Sequence, residues 1–251
     1  FIARLAWRNL WRNHRRTLIM ISAVAVGVSA MLFMTALLRG MVNEMIRGSV
    51  KTLPGHLQIH HPGYRDDPTV INSIREPQGD LLQQLQSDAV ISWASRVRVP
   101  AVVSSERDSR SVTLLGVDPV RERTLSFVAD SVVAGRFLEQ PDEVGIVIGR
   151  KLAETLETGV GKRIVIMSQD PDNGIADRGF RIVGLFEAKL QAIEESFVFI
   201  GRNTAQQFLR LGDRVHEISV VGANFRAIDP LYQAVAAAAG AGRTRPACAP
   251  A

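Results

Sequence analysis

A glycine turn that carries a lysine is the first segment whose residues could do chemistry. Gly159, Gly161 and Lys162 form the sequence G-V-G-K, which is similar to the end of a phosphate-binding loop. That loop also requires a glycine five positions before Gly161, where Leu156 stands, and Ser or Thr after the lysine, where Arg163 stands. Both requirements fail. We therefore interpret the segment as a turn between a helix and a strand, and we expect the chain neither to bind nor to hydrolyse nucleotide.

A small group of histidines and aspartates is the second candidate. His56 and His60 would share one face of a strand, and His61, Asp66 and Asp67 follow closely. These residue types can ligate a metal ion, but alternating polar side chains are also what any half-buried strand presents to water. Because no second cluster of such residues supports a site, we expect no metal. The sequence leaves the role of these histidines open.

Signatures of catalysis are missing from the sequence. It contains no G-x-S-x-G elbow, no H-E-x-x-H pair and no G-x-G-x-x-G loop. Acidic pairs such as Asp142–Glu143 and Glu194–Glu195 lie in polar, turn-like stretches, where a solvated surface is the ordinary interpretation because adjacent residues do not converge on a substrate. We therefore expect a non-catalytic protein that uses no cofactor.

The charge of the chain is concentrated at its beginning. The 251 residues carry 30 basic and 25 acidic side chains, a net charge of +5, and five arginines within residues 1–16 account for the whole excess. A nucleic-acid-binding protein would need a basic face on a folded domain instead, so we expect no nucleic-acid partner. The only cysteine, Cys248, excludes a disulfide scaffold and a cysteine-rich metal module.

An uncharged run follows these arginines directly. Thr17 to Leu38 is 22 residues without a charged side chain. As a helix it would be about 33 Å long, enough to cross a hydrocarbon core of about 30 Å. A buried helix of a soluble protein would rarely remain uncharged over six turns. A cleaved signal peptide would have an apolar core of about 7–15 residues that ends in a small-x-small site, whereas this run is longer and ends in Leu37, Leu38 and Arg39 with no such site. We predict a retained transmembrane helix at residues 17–38.

The basic segment 1–16 predicts the orientation of this helix. Arginines before the span and a balanced sequence after it place the N-terminus in the cytoplasm and the residues after about 40 across the membrane. The segment is either a short helix on the inner leaflet of the lipid bilayer or topogenic charge without defined structure. The expected membrane-interface residues are Arg4, Trp7, Arg8, Trp11, Arg12, Arg15 and Arg16.

After the span the sequence predicts a stalk and then an α+β domain. Apolar residues at helical spacing continue the helix through residues 39–52, and residues 53–230 then alternate short strands with a few helices and many turns. Residues 231–251 are rich in alanine, and we expect the sequence to stop specifying structure there. The predicted strands are 56–60, Val97–Val103, Ser111–Val117, Val144–Ile148, Arg163–Met167, Phe180–Phe186, Phe197–Ile200 and Val215–Val221. The predicted helices are Asp80–Gln86, Arg150–Leu156 and Thr204–Leu211.

Several segments, in their order and spacing, resemble a known family. These are the basic start at Ala3–Arg16, LPGHLQIHHPGY at Leu53–Tyr64, LGVDP at Leu115–Pro119, VAGRFL at Val133–Leu138, VIGRKLAETL at Val147–Leu156 and GFRIVGLF at Gly179–Phe186. Together they resemble the MacB/LolC/LolE-type (FtsX-like) permeases of ABC transporters across residues 3–225. The resemblance implies an extracytoplasmic mixed α/β domain of the MacB periplasmic core type, inserted between the first and second of four membrane helices.

The resemblance also implies a function and partners. A permease of this type pairs with a second permease subunit, identical or different, and with a cytoplasmic ABC ATPase, in the bacterial inner membrane. ATP-driven movement of the membrane helices is passed to the periplasmic domains, which is termed mechanotransmission. The GHLQIH stretch is closer to the lipoprotein-releasing branch than to the drug-efflux branch. No later run provides the three further spans, so we expect a truncated or frame-shifted permease. A single-pass anchored sensor or scaffold is the alternative.

One polar segment, residues 168–179, is a candidate contact for a partner. We predict a twelve-residue loop, in which turn-forming residues are combined with aspartates that keep it solvated. In the lipoprotein-releasing relatives a protruding hairpin of this domain recruits a periplasmic lipoprotein carrier, and the position of this loop is similar. A surface loop without a partner is the alternative. The candidate residues are Asp170, Pro171, Asn173, Gly174 and, as the apolar anchor, Ile175.

Overall fold

The protein is described by a computed structural model. The structure describes residues 14–50, 57–64, 66–222, 228–239 and 244–246. The chain falls into two compact units, residues 1–49 and 50–251.

The described part of the first unit is one long helix, α1, from His14 to Val50. Its stretch Arg15–Gly40 is long and apolar enough to cross a membrane, judged by length and composition. Two of the four hydroxyl groups in this stretch bond within the helix: Ser22 Oγ donates to Ile19 O (3.0 Å) and Thr35 Oγ1 to Met31 O (2.8 Å). Polar groups satisfied in this way are compatible with lipid. The prediction of one apolar N-terminal helix is confirmed, and the helix extends into the predicted stalk.

The second unit is a mixed α/β domain, as predicted. Its strands are β1 (Leu57–His60), β2 (Ile74–Arg75), β3 (Val90–Ser104), β4 (Ser109–Val117), β5 (Val132–Gly135), β6 (Gly145–Gly149), β7 (Arg163–Gln169), β8 (Ile175–Phe186), β9 (Phe197–Gly201), β10 (Arg214–Val215), β11 (Glu217–Gly222) and β12 (Thr244–Pro246). Its helices are α2 (Gly79–Leu85), α3 (Pro119–Leu125), α4 (Arg150–Thr155), α5 (Gln191–Ser196), α6 (Arg202–Phe208) and α7 (Ile228–Ala239), with a 3-10 turn at Ala129–Ser131.

Six of the strands pair into a closed ring. In order around the ring they are β3, β4, β9, β6, β8 and β7, and β7 pairs again with β3. The β4–β9 and β6–β8 pairs are parallel and the others antiparallel. The first half of β3 pairs with β11 instead. β11 pairs in turn with β1, and β1 with β12. β5 pairs with the end of β8, on the side away from β6. The long strand β3 therefore belongs to both the ring and the sheet beside it.

Some of the ring strands, β6 and the second half of β4 among them, are buried on both faces. Alternate side chains of one strand belong to two separate apolar clusters: Ile146 and Ile148 to the larger cluster and Val147 between them to the smaller one. Leu114 and Leu115 divide in the same way. Strands covered on both faces have continuous apolar sequences rather than alternating ones. This explains why β6 is composed almost entirely of Gly, Val and Ile.

Helix α3 is not among the helices predicted from the sequence. Asp118 caps its first turn, because Oδ1 accepts from the backbone N–H of Val120 at 3.1 Å, and Pro119 occupies the first helical position. Both residues are typical of a helix start. The same Asp-Pro pair is typical of turns, and a seven-residue helix is too short to show a helical period in the sequence.

Helix α7 corrects the expectation that structure ends near residue 231. It runs to Ala239, and Val235 and Ala239 are buried in the larger core cluster, with Tyr232 packed against it. These three residues follow a spacing of three and four, so they share one helical face. Alanine has the highest helix propensity, so an alanine-rich segment folds as a helix once the core accepts a few of its apolar side chains.

Candidate functional site

The candidate partner segment is the end of a long β-hairpin rather than a twelve-residue loop. β7 and β8 pair in register from Arg163↔Arg181 to Gln169↔Ile175, which leaves a five-residue turn at 170–174. The prediction of a loop over 168–179 is therefore wrong. Polar residues such as Asp177 conceal the strand in the sequence, because they occupy its exposed positions. We call residues 170–175 the hairpin tip.

The carboxylate of Asp170 organises the tip. Its Oδ1 accepts from the backbone N–H groups of Asp172 (3.0 Å) and Gly174 (2.6 Å), and its own N–H donates to Gly174 O (2.9 Å). Asn173 adopts a left-handed conformation with φ of +60°, which asparagine tolerates better than most residues. Asp170 is 5% exposed, so the expectation that it keeps the segment solvated is wrong. It is a buried turn-forming residue.

Ile175 projects from the tip into solvent. It is 79% exposed, and burying such a side chain against a partner would contribute about 1.5–3 kcal/mol. A single exposed apolar residue is ordinary, but Ile175 also borders an apolar groove of about 430 Å³. Among the residues that the structure describes, no charged side chain lines this groove. Its lining residues are Thr69, Val70, Pro100, Ala101, Val102, Ser111, Val112, Met167, Ser168, Gln169 and Ile175.

Two arginines stand opposite each other at the base of the hairpin. Arg163 and Arg181 are direct cross-strand partners and both are exposed. Like charges in this position are destabilising, and within the described part of the chain neither arginine has a carboxylate at salt-bridge distance. The pair presents positive charge to solvent. Sequence reasoning missed it because the register of β7 against β8 brings the two residues together.

The hairpin is held against the rest of the domain. Beyond its pairing with β8, β7 pairs with β3 from Val102↔Met167 to Ser104↔Val165. Ser168 Oγ donates to Pro100 O at 2.8 Å. Ile175 therefore lies on β8, which pairs with β7, and β7 is in turn held by β3. These pairings give the exposed side chain a defined position.

A buried charge network lies elsewhere in the domain. Arg96 (1% exposed) donates to both carboxylate oxygens of Glu122 (0% exposed), at 3.1 Å from Nε and 2.7 Å from Nη2. Its Nη1 donates to Glu217 Oε1 (3.2 Å) and to Ser219 Oγ (3.1 Å), and Arg98 Nη1 reaches Glu217 Oε2 at 3.3 Å. Burial opposes the charged form of Glu217, but the two arginines hold its pKa below the usual value. The network joins β3, β11 and α3.

The other candidates from the sequence are the glycine turn that carries Lys162 and the group of histidines and aspartates. The G-V-G-K turn lies between α4 and β7, as predicted, and the Gly161 N–H donates to Ile182 O (2.8 Å), so this amide is engaged within the domain. His60 is buried, with Nδ1 3.1 Å from His61 O. Across the described ranges, no three His, Cys, Asp or Glu side chains converge as metal ligands would. His56 lies outside the described residues.

Two of the seven predicted membrane-interface residues are described. Arg15 and Arg16 lie in the first turns of α1 with exposed side chains. The remaining five lie outside the described residues: Arg4, Trp7, Arg8, Trp11 and Arg12.

Comparison with proteins of known sequence gives a family and a relative. The MacB-like periplasmic core domain family matches residues 17–238. The lipoprotein-releasing system transmembrane protein LolC of Neisseria meningitidis serogroup B (strain ATCC BAA-335 / MC58) is 25% identical over 222 residues, which cover 85% of this chain and 50% of LolC. The chain thus spans half the length of this curated relative.

Two solved structures share the fold. The extracellular domain of the noncanonic ABC-type transporter YknZ from Gram-positive bacteria has a TM-score of 0.54 and 14% identity, covering 76% of this chain and 98% of that one. The periplasmic region of MacB from Actinobacillus actinomycetemcomitans has a TM-score of 0.53 and 13% identity, covering 75% and 86%. Because the family match includes the apolar helix and nearly all of the α/β domain, this chain belongs to the family of MacB-like periplasmic core domains, that of the MacB/LolC-type ABC transporter permeases.

Proposed function

We propose that this chain acts in lipoprotein release or a related envelope export task, as a permease subunit that contributes no catalysis itself. ATP hydrolysis by a cytoplasmic ABC ATPase partner moves α1, and mechanotransmission carries the movement to the α/β domain. A second permease subunit, identical or different, completes the membrane unit. The observation that carries the proposal is the unbroken family match from the apolar helix to residue 238. The similarity to LolC supports lipoprotein as the cargo.

The hairpin of β7 and β8 is the proposed contact for the periplasmic lipoprotein carrier. Ile175 and the uncharged groove beside it suit apolar side chains of a partner, and Arg163 and Arg181 suit acidic ones. Both features lie on one hairpin, about 20 Å apart at roughly 3.3 Å per residue. A carrier that presents an apolar surface with acidic residues beside it would engage both ends.

Photocrosslinking tests this contact. With p-benzoylphenylalanine at position 175, we expect the membrane-inserted chain to crosslink to the periplasmic lipoprotein carrier of the same bacterium upon illumination. The control places the same residue at Val120, which is also exposed but lies on α3. Equal crosslinking from positions 175 and 120, or none from either, would count against the hairpin as the docking site and favour the anchored-scaffold alternative.

The proposed orientation places the α/β domain in the periplasm of an inner-membrane protein. The arginines before the span support it by the positive-inside rule. In a chain whose only cysteine is replaced (Cys248→Ala), we expect a membrane-impermeant maleimide to label Ile175→Cys in intact spheroplasts. Arg8→Cys should be labelled only after the membrane is permeabilised. The reverse labelling pattern would contradict the orientation.

A further inference from the structure

Arg210 has a backbone conformation that ordinarily selects glycine. It follows the last residue of α6 and its C-cap Leu209, and its φ is +54°. The Leu211 N–H closes the helix end by donating to Gln206 O at 2.9 Å. Glycine is the usual residue at this position of a helix end, because other side chains are strained there. Ending the helix therefore gives no reason for an arginine.

The side chain of Arg210 explains the choice. Its Nη1 lies 3.5 Å from Asp170 Oδ2, the oxygen of that carboxylate that does not bind the turn amides. The Arg210 side chain is largely exposed, and an ion pair with one exposed partner adds little to the stability of a fold. Its effect is local instead. Because Asp170 holds the amides of Asp172 and Gly174, whatever fixes its carboxylate also fixes the hairpin tip.

We propose that Arg210 and Asp170 form a latch that positions the hairpin tip, so that Ile175 is already held in its docking orientation when a partner arrives. Arg210 acts through Asp170 and is a positioning residue. This inference rests on the proposed carrier contact for its purpose, but the latch itself is a property of the chain alone. A contact ordered before binding loses less conformational entropy on association than a mobile one.

Hydrogen exchange in the full chain, inserted in lipid nanodiscs without any partner, tests the latch. In Arg210→Gly we expect the amides of Asp172 and Gly174 to exchange about tenfold faster, because the tip opens locally. The urea midpoint of the domain should stay the same or rise, since glycine relieves the strained backbone. A merely structural role for Arg210 would lower the midpoint instead. Arg210→Lys, which keeps the charge, should restore slow exchange in part.

A matched control exists at the end of α4. Glu157 also has a positive φ (+48°) beyond a helix end, and it also forms an ion pair, with Arg107. Glu157→Gly likewise relieves a strained backbone conformation and removes one partner of an ion pair, but it does not touch the tip. Exchange of the Asp172 and Gly174 amides should therefore not change. Equal exchange rates of the Asp172 and Gly174 amides in the wild type and in Arg210→Gly would contradict the proposed latch.

Carrier affinity links the latch to function. If the carrier binds the wild-type chain, Arg210→Gly should weaken binding about three- to tenfold, the cost of ordering one or two side chains. Faster exchange with unchanged affinity overturns the docking role assigned to the latch. Absence of carrier binding by the wild-type chain overturns the proposed function, and the exchange rates alone then decide whether the latch exists.

Discussion

Replacing Glu122 with alanine is expected to destabilise the α/β domain by about 3–5 kcal/mol, the usual cost of removing one partner from a buried ion pair. Glu122 is fully buried and takes both hydrogen bonds of one edge of the Arg96 guanidinium. Without it, Arg96 still contacts Glu217 and Ser219, but part of its charge lies uncompensated inside the protein. The measurement is the urea midpoint of the domain at constant m-value.

A surface ion pair provides the control for this prediction. Glu154 pairs with Lys151 at 2.8 Å on the exposed side of α4, so Glu154→Ala should leave the midpoint unchanged. The triple variant Arg96→Met/Glu122→Leu/Glu217→Leu should recover much of the loss, because apolar groups of similar volume then replace the whole buried triad at little cost. A loss below about 1 kcal/mol for Glu122→Ala would mean that water reaches the network, contrary to its burial.

Much of the fold could be predicted from the sequence because its strands are short, apolar and bounded by turn residues. All eight predicted strands correspond to strands of the structure, and all three predicted helices are present. Most ends shift by a few residues, but β3 begins seven residues and β8 five residues before the prediction, and the predicted strand Val215–Val221 is divided between β10 and β11. The short elements were missed. Helix α3 begins with an Asp-Pro pair that is equally typical of a turn, and β5 is a strand of only four residues at the edge of the sheet. Local patterns need about two helical turns before a period is visible.

The candidate site was predicted only in part, because its geometry depends on pairing that distant residues determine. Ile175 and the turn-forming residues could be chosen from composition, but the polar residues after Ile175 obscured the strand β8. The Arg163–Arg181 pair and the Asp170–Arg210 contact join residues 18 and 40 positions apart. No local signal relates such residues, so register and tertiary packing had to be known first.

Removing the hairpin tip is expected to abolish capture of the lipoprotein carrier. The variant replaces residues 169–175 with Asn-Gly, so that a two-residue turn joins Ser168 to Ala176, which are already cross-strand partners. The pairing of β7 with β3 is kept, and the ring of six strands stays closed. The variant loses only Gln169, the hairpin tip with its Ile175, and one side of the groove. The urea midpoint of the domain should therefore not change.

The single substitution Ile175→Ser grades the same effect. Losing one buried aliphatic side chain at a contact corresponds to about 1.5–3 kcal/mol, or roughly tenfold to a hundredfold in affinity. Val120→Ser removes an exposed valine on α3, outside the hairpin, and this variant should bind carrier as the wild type does. A graded loss, strongest for the excised tip, would assign the binding energy to Ile175 and its immediate surroundings.

The most direct measurement is the affinity of the purified carrier for the nanodisc-embedded chain, compared between wild type and the tip-excised variant. The account predicts saturable binding by the wild type and no detectable binding by the variant, at equal membrane insertion and equal domain stability. Binding of the carrier with the same affinity to both chains would contradict the central claim that this hairpin is where the permease meets its periplasmic partner.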